Sequence, residues 1–371
     1  MSAFSAAVLT PNGRGAVATI RLQGDWSALE TSGVFRTARG LIASASPIGR
    51  VLLAHWGPPP GEDVVLCRID QHVLEVHCHG GQAAVARILA DAAAAGAEVR
   101  TARELVEQST GLFEAECLDA LSRACTLRTA EILLEQASGT LRDRVQRLID
   151  SRDLTKLDDI LQWADFGRHL TAPWRVVLTG TPNVGKSSLI NRLVGFERSI
   201  VNPTPGTTRD VVTAETALDG WPVSFEDTAG LRSGASALEQ EGIARARARL
   251  GQADLVVIVF DVSQGLSEID DALCAQYPDA LLVGNKCDLA PTDAQTPPLA
   301  MNVSCITGFG LEILTEAIVD RLVPRVPESG MAVPVSERQI RLLQAALANN
   351  DIAPLRELLG LELPSMQTPD A

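Results

Sequence analysis

Several features are missing from this 371-residue chain, and each absence excludes something. No apolar run approaches the ~20 residues of a membrane-spanning helix, so no membrane association is expected. The opening Met1-Ser-Ala-Phe-Ser-Ala-Ala-Val-Leu-Thr-Pro11 carries no basic residue before its apolar ones, which argues against a secretory signal. Cysteine is sparse and unpaired in spacing: seven residues, an odd number, suit a reducing cytoplasm better than a disulfide framework. Aromatic residues make up only 4%. Basic charge is short as well, with 32 Lys and Arg against 46 Asp and Glu, a net charge of −14. Affinity for nucleic acid comes largely from neutralised phosphates, so binding over the whole surface is not expected, while a local basic groove stays open.

What is present is a globular composition, 46% apolar and 21% charged, long enough for two to three domains. The stretch Arg175-Val-Val-Leu-Thr-Gly180-Thr-Pro-Asn183-Val184-Gly185-Lys186-Ser187-Ser188-Leu-Ile organises the rest. A short buried strand, a loop fitting G-x-x-x-x-G-K-[ST] and a following helix are the context a phosphate-binding loop requires. Glycines let the backbone wrap an anion, consecutive N–H groups point inward, and the helix adds the positive end of its dipole. Lys186 is placed to lie along the β- and γ-phosphates, and Ser187 to offer its hydroxyl to Mg²⁺.

Further motifs follow in order. Ser199-Ile-Val-Asn-Pro-Thr-Pro-Gly206-Thr207-Thr208-Arg-Asp210 is too rich in Pro and Gly for helix or strand. Such a loop closes in a GTPase when a threonine reaches Mg²⁺; Thr208 is favoured, Thr207 second. Val211–Leu218 and Trp221–Phe225, joined by Asp219-Gly220, form a hairpin signal. It delivers Asp227-Thr-Ala-Gly230, with Asp227 toward Mg²⁺ and the Gly230 N–H toward the γ-phosphate. Asp254-Leu-Val-Val-Ile-Val-Phe-Asp261 reads as a buried parallel strand. In Asn285-Lys286-Cys-Asp288, a carboxylate at 288 can accept from two guanine nitrogens, a pair of donors that adenine lacks; the bland alternative is a surface turn carboxylate. Asn285 would hold neighbouring loops, Lys286 would lie on the base plane, and Ser304-Cys305-Ile-Thr-Gly308 would supply an N–H to the guanine oxygen.

The position after Asp-x-x-Gly, where some GTPases keep a water-orienting Gln, is Leu231. Leucine cannot orient water, so the group must come from elsewhere. Glu239, at the start of a helix over 238–250, can be reached by a folding loop; it is equally an ordinary first-turn acid favoured by the helix dipole.

Before this domain, residues 7–22 read as a hairpin around Pro11-Asn-Gly13, and 43–49 as a linker of small residues. Strand candidates are Val51–His55, Asp63–Ile69 and Val73–Val76, then a helix Gln82–Ala95 stopped by Gly96 and a strand Ala97–Arg100. His77-Cys78-His79 invites a metal reading, but in a strand the histidines share one face and the cysteine the other, so a structural strand end facing a ligand fits better. Residues 102–170 turn helical, with breaks at Gly139 and near Ser151, and Ser336 to Asn349 opens on a capping box. Gln367–Ala371 is expected to be disordered.

These stretches resemble the tRNA uridine-modification GTPases (MnmE, also called TrmE). The opening Ala7-Val-Leu-Thr-Pro-Asn-Gly13-Arg14-Gly15-Ala-Val-Ala-Thr-Ile-Arg21-Leu and Leu74-Glu75-Val-His-Cys78-His79-Gly80-Gly81 are similar to that family's signatures. The resemblance implies an α/β P-loop GTPase domain, its mostly parallel sheet carrying one antiparallel hairpin strand, inserted in a helical domain and preceded by a small α+β domain. The expected division is 1–101, 102–171 and 327–371 for the α+β domain and two helical parts, with the GTPase domain at 172–326. The resemblance implies that Asn183 and loop 199–206 hold K⁺ when two GTPase domains meet, and that Glu239 orients water. Glu239, Lys186 and Thr208 are then the catalytic set. The expected GTP and GDP contacts are Asn183, Val184, Gly185, Lys186, Ser187, Ser188, Thr207, Thr208, Asp227, Gly230, Asn285, Lys286, Asp288, Ser304 and Cys305. A homodimer, a tetrahydrofolate derivative on the N-terminal domain, an MnmG-like flavoprotein and a tRNA wobble uridine complete what it implies. The chain departs from the family in its ending, Leu-Pro-Ser-Met-Gln-Thr-Pro-Asp-Ala371 where Cys-Ile-Gly-Lys is expected. Its helical segments are shorter, and Leu105-Val-Glu-Gln-Ser-Thr-Gly-Leu-Phe-Glu114 replaces a Phe-Thr-x-Arg-Ala-Phe motif. An Era-like switch in ribosome or RNA assembly, without modification chemistry, is the second expectation.

Overall fold

The computed structural model describes residues 4–10, 15–196, 213–227, 250–290 and 300–361. The chain forms two compact units, Met1–Glu116 and Cys117–Ala371.

The first unit is built on a seven-stranded sheet of order β3-β4-β5-β6-β2-β1-β7. Its strands are β1 (Phe4–Val8), β2 (Val17–Gly24), β3 (Phe35–Thr37), β4 (Val51–Trp56), β5 (Glu62–Asp70), β6 (Val73–His79) and β7 (Ala97–Arg100). Neighbours run antiparallel except β1 and β7, which are parallel. Strand alternation decides the faces. Along β4, Leu52, Ala54 and Trp56 are buried while Val51, Leu53 and His55 are exposed. Ile88 and Ala92 of the helix Gln82–Ala94 join the buried cluster, and Trp56 donates its indole N–H to Asp91 at 2.9 Å. The stretch 43–49 is a pinned loop, not the linker its composition suggests. Ala43 and Ser46 are buried, and Glu30 accepts from the Ala43 N–H at 2.6 Å. In β6, Cys78 faces the core, while the His77 ring meets Thr19 at 2.9 Å and His79 meets Glu62 at 2.5 Å. Among the described residues no group of three His, Cys, Asp or Glu is placed to hold a metal.

The second unit holds a six-stranded mixed sheet of order β13-β12-β11-β8-β10-β9. The strands are β8 (Trp174–Thr179), β9 (Thr213–Leu218), β10 (Trp221–Asp227), β11 (Leu255–Asp261), β12 (Leu281–Asn285) and β13 (Met301–Asn302). All pairs are parallel except the β9–β10 hairpin. Its turn residues Asp219 (φ +47°) and Gly220 (φ +76°) are both left-handed, as a tight two-residue hairpin turn demands. β8 and β11 are continuous apolar runs because helices such as Lys186–Phe196 and Leu311–Leu322 cover a parallel sheet.

Short helices precede and follow this sheet. Gly139 (φ +112°) and Arg152 (φ +53°) bound the helix Thr140–Ser151, where the sequence predicts breaks. The two helical segments meet: the buried Gln136 accepts from Val333 N–H at 3.1 Å and donates to the Met331 carbonyl at 3.1 Å. Gly167 lies so close to Pro334 that a Cβ there would stand 1.9 Å from its carbonyl oxygen. Ser336 caps the helix Glu337–Asn349 by accepting from the Gln339 N–H at 3.1 Å.

Candidate nucleotide site

The site forms at the C-terminal ends of β8, β10, β11 and β12, where the parallel strands release their loops. β8 ends in Gly180 (φ +142°), which presses on β11: a Cβ there would lie 2.0 Å from the Val259 carbonyl oxygen. Asn183 (φ +64°) and Gly185 (φ +97°) curl the loop, and Lys186 starts the helix. Lys186 is buried, and its ammonium donates to the carbonyls of Gly180 at 3.0 Å and Thr181 at 2.9 Å. A buried ammonium needs such acceptors, and it holds a positive charge inside the loop.

On β10, beside β8, Asp227 is buried at the strand end. Ser187 Oγ donates to Asp227 Oδ2 at 2.6 Å. The hydroxyl and the carboxylate, 40 positions apart in sequence, thus converge beside Lys186 as a pair of hard oxygen donors. Asn183 on the loop and Ser188 in the first turn of the helix are exposed.

The β12 side supplies the second half. Asn285 is buried and donates from Nδ2 to the Val184 carbonyl at 2.8 Å, tying β12 to the phosphate loop. Lys286 (φ +64°) donates to the Asn183 carbonyl at 2.8 Å and to Asp261 Oδ2 at 2.6 Å. Burial alone would raise the Asp261 carboxyl, yet hydrogen bonds from Lys286 and Ser263 hold it below its ordinary value. Asp288 is exposed on the short turn Cys287–Leu289. Ser304 is fully buried, and its hydroxyl accepts from the Thr307 N–H at 3.1 Å. The Cys305 thiol donates to Asn285 Oδ1 at 3.3 Å; burial pushes that thiol up, so it keeps its proton.

The structure therefore brings together Asn183, Val184, Gly185, Lys186, Ser187 and Asp227 on one side, and Asn285, Lys286, Ser304 and Cys305 on the other. Thr207, Thr208, Gly230 and Glu239 lie outside the described residues, as do loop 199–206, all but the last residue of the helix expected over 238–250, and the tail 367–371. Sequence reasoning missed Asp261 and Arg192. Asp261 was visible only as the end of an apolar strand. Arg192 donates to the carbonyls of Cys305 and Ile306 from a helix face with no motif to mark it.

The chain is similar to known proteins over the phosphate loop and well beyond it. The family model described as 50S ribosome-binding GTPase matches residues 175–286. A tRNA modification GTPase MnmE from Prochlorococcus marinus (strain MIT 9303) is 36% identical over 344 residues, covering 79% of this chain and 73% of that protein. Another from Synechococcus sp. (strain RCC307) is 34% identical over 386 residues, 91% of this chain and 84% of the relative. The chain belongs to the MnmE family. As a member of the MnmE family it is a GTP hydrolase, and the GTPase family match spans the phosphate loop through Lys286. Among solved structures, Era in complex with MgGDPNP and a 16S ribosomal RNA fragment aligns at TM-score 0.33 and 26% identity, over 42% of this chain and 58% of that one. Among the described residues no helix is long and apolar enough to cross a membrane.

Proposed function

We propose that this MnmE-family GTPase binds GTP between the phosphate loop and the β12 loops and uses its hydrolysis in tRNA wobble-uridine modification in the cytoplasm. The observation that carries the nucleotide chemistry is the 2.6 Å contact of Ser187 Oγ with Asp227 Oδ2 beside the buried Lys186. Two adjoining hard oxygens fit Mg²⁺, which keeps several waters and takes only a few protein ligands. Ser187, Asp227 and Thr208 would hold that ion, which supplies charge neutralisation at the phosphate oxygens. Lys186 binds the β- and γ-phosphates, exchanging loop carbonyls for phosphate oxygens. Asp288 accepts from the guanine base, and the methylene stem of Lys286 lies along it while its ammonium stays with Asp261. Glu239 orients the attacking water in place of Leu231.

The exposed side-chain amide of Asn183 suits a monovalent cation shared when two GTPase domains meet, so K⁺ and a homodimer belong to this reading. So does the insertion of 172–326 into one helical domain formed by 102–171 and 327–371, which the bonds of Gln136 to Met331 and Val333 support. The N-terminal domain over 1–101 would take a tetrahydrofolate derivative, and an MnmG-like flavoprotein would be the partner.

Deleting the gene and analysing wobble uridines by mass spectrometry tests this. Loss of the modified base is expected; unaltered wobble uridines overturn it. A second reading, a switch in ribosome assembly, is favoured by the family description matched over 175–286. That match ends inside the nucleotide domain, whereas likeness to tRNA modification GTPases extends over 91% of the chain.

A further inference from the structure

The turn at 304–308 and the helix after the phosphate loop are joined by a brace that no motif announces. Arg192 Nε donates to the Cys305 carbonyl at 2.6 Å, and one terminal nitrogen donates to the Ile306 carbonyl at 2.8 Å. The preceding carbonyl, of Ser304, accepts from the Gly308 N–H at 2.9 Å. Three successive carbonyls of the turn are therefore directed at donors. In a planar trans peptide the N–H points opposite to its C=O, so the amides of Cys305 and Ile306 are turned to the other side. The Cys305 thiol meets Asn285, which in turn holds Val184 of the phosphate loop. The contacts close a ring from the phosphate loop through Asn285 and Cys305 to Arg192, back on the helix that the loop begins.

We propose that Arg192 is a positioning residue for base selection, holding the 304–308 turn so that a main-chain amide meets the 6-oxo group of guanine. The inference rests on the guanine reading of the β12 loops given above and adds to it the group that fixes the recognising amide. A guanidinium suits the task because its fork reaches two carbonyls at once, which a lysine ammonium does not do with the same fixed geometry. Arg192 is itself exposed, so its removal opens no core cavity.

The experiment compares GDP with 2-aminopurine riboside diphosphate, which lacks the 6-oxo group, on the full chain. Dissociation constants are measured for the parent, Arg192→Gln and Arg192→Lys, with thermal midpoints in the absence of nucleotide. The parent is expected to prefer GDP. Arg192→Gln should weaken GDP about tenfold, about 1.4 kcal/mol, and the 2-aminopurine nucleotide less than about twofold, with Arg192→Lys between. Equal weakening of both nucleotides, no weakening of either, or a variant that unfolds without nucleotide overturns the proposal. If the parent itself binds the two nucleotides equally, the guanine reading is what fails, and the role of Arg192 falls with it.

Discussion

Arg128 lies over the indole of Trp221, its guanidinium carbon 4.4 Å from the ring centroid, and donates to both the carbonyl and the carboxylate of Asp219. One side chain of the helix Leu127–Ala137 thus clamps the β9–β10 turn, and Trp221 in turn meets Phe166 edge-on at 5.5 Å. β10 runs from this clamp to Asp227 at the candidate nucleotide site, so the helical segment grips the strand that carries the aspartate bonded to Ser187.

Arg128→Ala is therefore expected to destabilise the second unit. A cation–π contact at a partly exposed site contributes about 0.5–1 kcal/mol, and the exposed ion pair with Asp219 about 0.2–1 kcal/mol. Urea unfolding followed by tryptophan fluorescence should show a loss of about 1–2 kcal/mol. A change below about 0.3 kcal/mol would mean the clamp is ornamental.

Lys186 offers a sharper separation of stability from function. Its ammonium is buried against two carbonyls, and a buried charge costs more to desolvate than neutral packing does. Lys186→Met should leave the thermal midpoint without nucleotide unchanged or raised. GTP affinity should fall on the order of 100-fold, about 2.8 kcal/mol, because the charge-assisted contacts to phosphate are gone. Titration with a fluorescent GTP analogue checks the second expectation. Unimpaired binding would remove Lys186 from the site.

The difference between Lys186 and Arg192 also explains what the sequence makes legible. The phosphate loop is local: Gly180, Asn183 and Gly185 need unusual φ values within a few residues, and spacing records that need directly. The mixed sheet of the second unit is legible for the same reason, through continuous apolar strands and the Asp219-Gly220 turn. Arg192 and Cys305 stand 113 positions apart, and nothing in either neighbourhood encodes their meeting. Lys286 and Asp261 are similar: the motif identifies the lysine, but only the parallel register of β11 with β12 brings the aspartate to its ammonium. The pairing of β1 with β7 and the three-residue β3 escape periodicity for want of length or proximity. The 43–49 loop looks like a linker because its small residues hide the carboxylate of Glu30 that pins it.

Two crowded glycines of the phosphate loop should fail in different ways. A Cβ on Gly180 would meet the Val259 carbonyl at 2.0 Å, backbone against backbone in the middle of the sheet. On Gly185 it would meet the Asn285 amide nitrogen at 2.3 Å, a side chain that can swing away by giving up Val184. Gly180→Ala is expected to cost more than about 3 kcal/mol and to lower the soluble yield. Gly185→Ala should cost about 1–3 kcal/mol of backbone strain while abolishing measurable GTP binding. Equal effects of the two on the unfolding midpoint would contradict the distinction between rigid and yielding neighbours.

Acid sensitivity should trace in part to His169. Its ring stacks on Trp174 with centroids 3.6 Å apart, just before β8, and its Nε2 lies 3.5 Å from Asp254, which also accepts from the Arg175 N–H at 2.6 Å. Burial pulls the His169 pKa below its ordinary 6.5, although Asp254 and nearby backbone carbonyls pull the other way. The unfolded chain therefore binds a proton near pH 6.5 that the folded chain refuses until lower pH. Stability rises with pH wherever the unfolded state binds more protons. The contribution of His169 is thus fully present above about pH 6.5, falls as the pH drops toward the folded value, and changes no further beneath it. Thermal midpoints between pH 7.5 and pH 5 should decline more steeply for the parent than for His169→Phe, which stacks on Trp174 without a titrating nitrogen. Parallel profiles for the two proteins would assign the acid sensitivity to other groups.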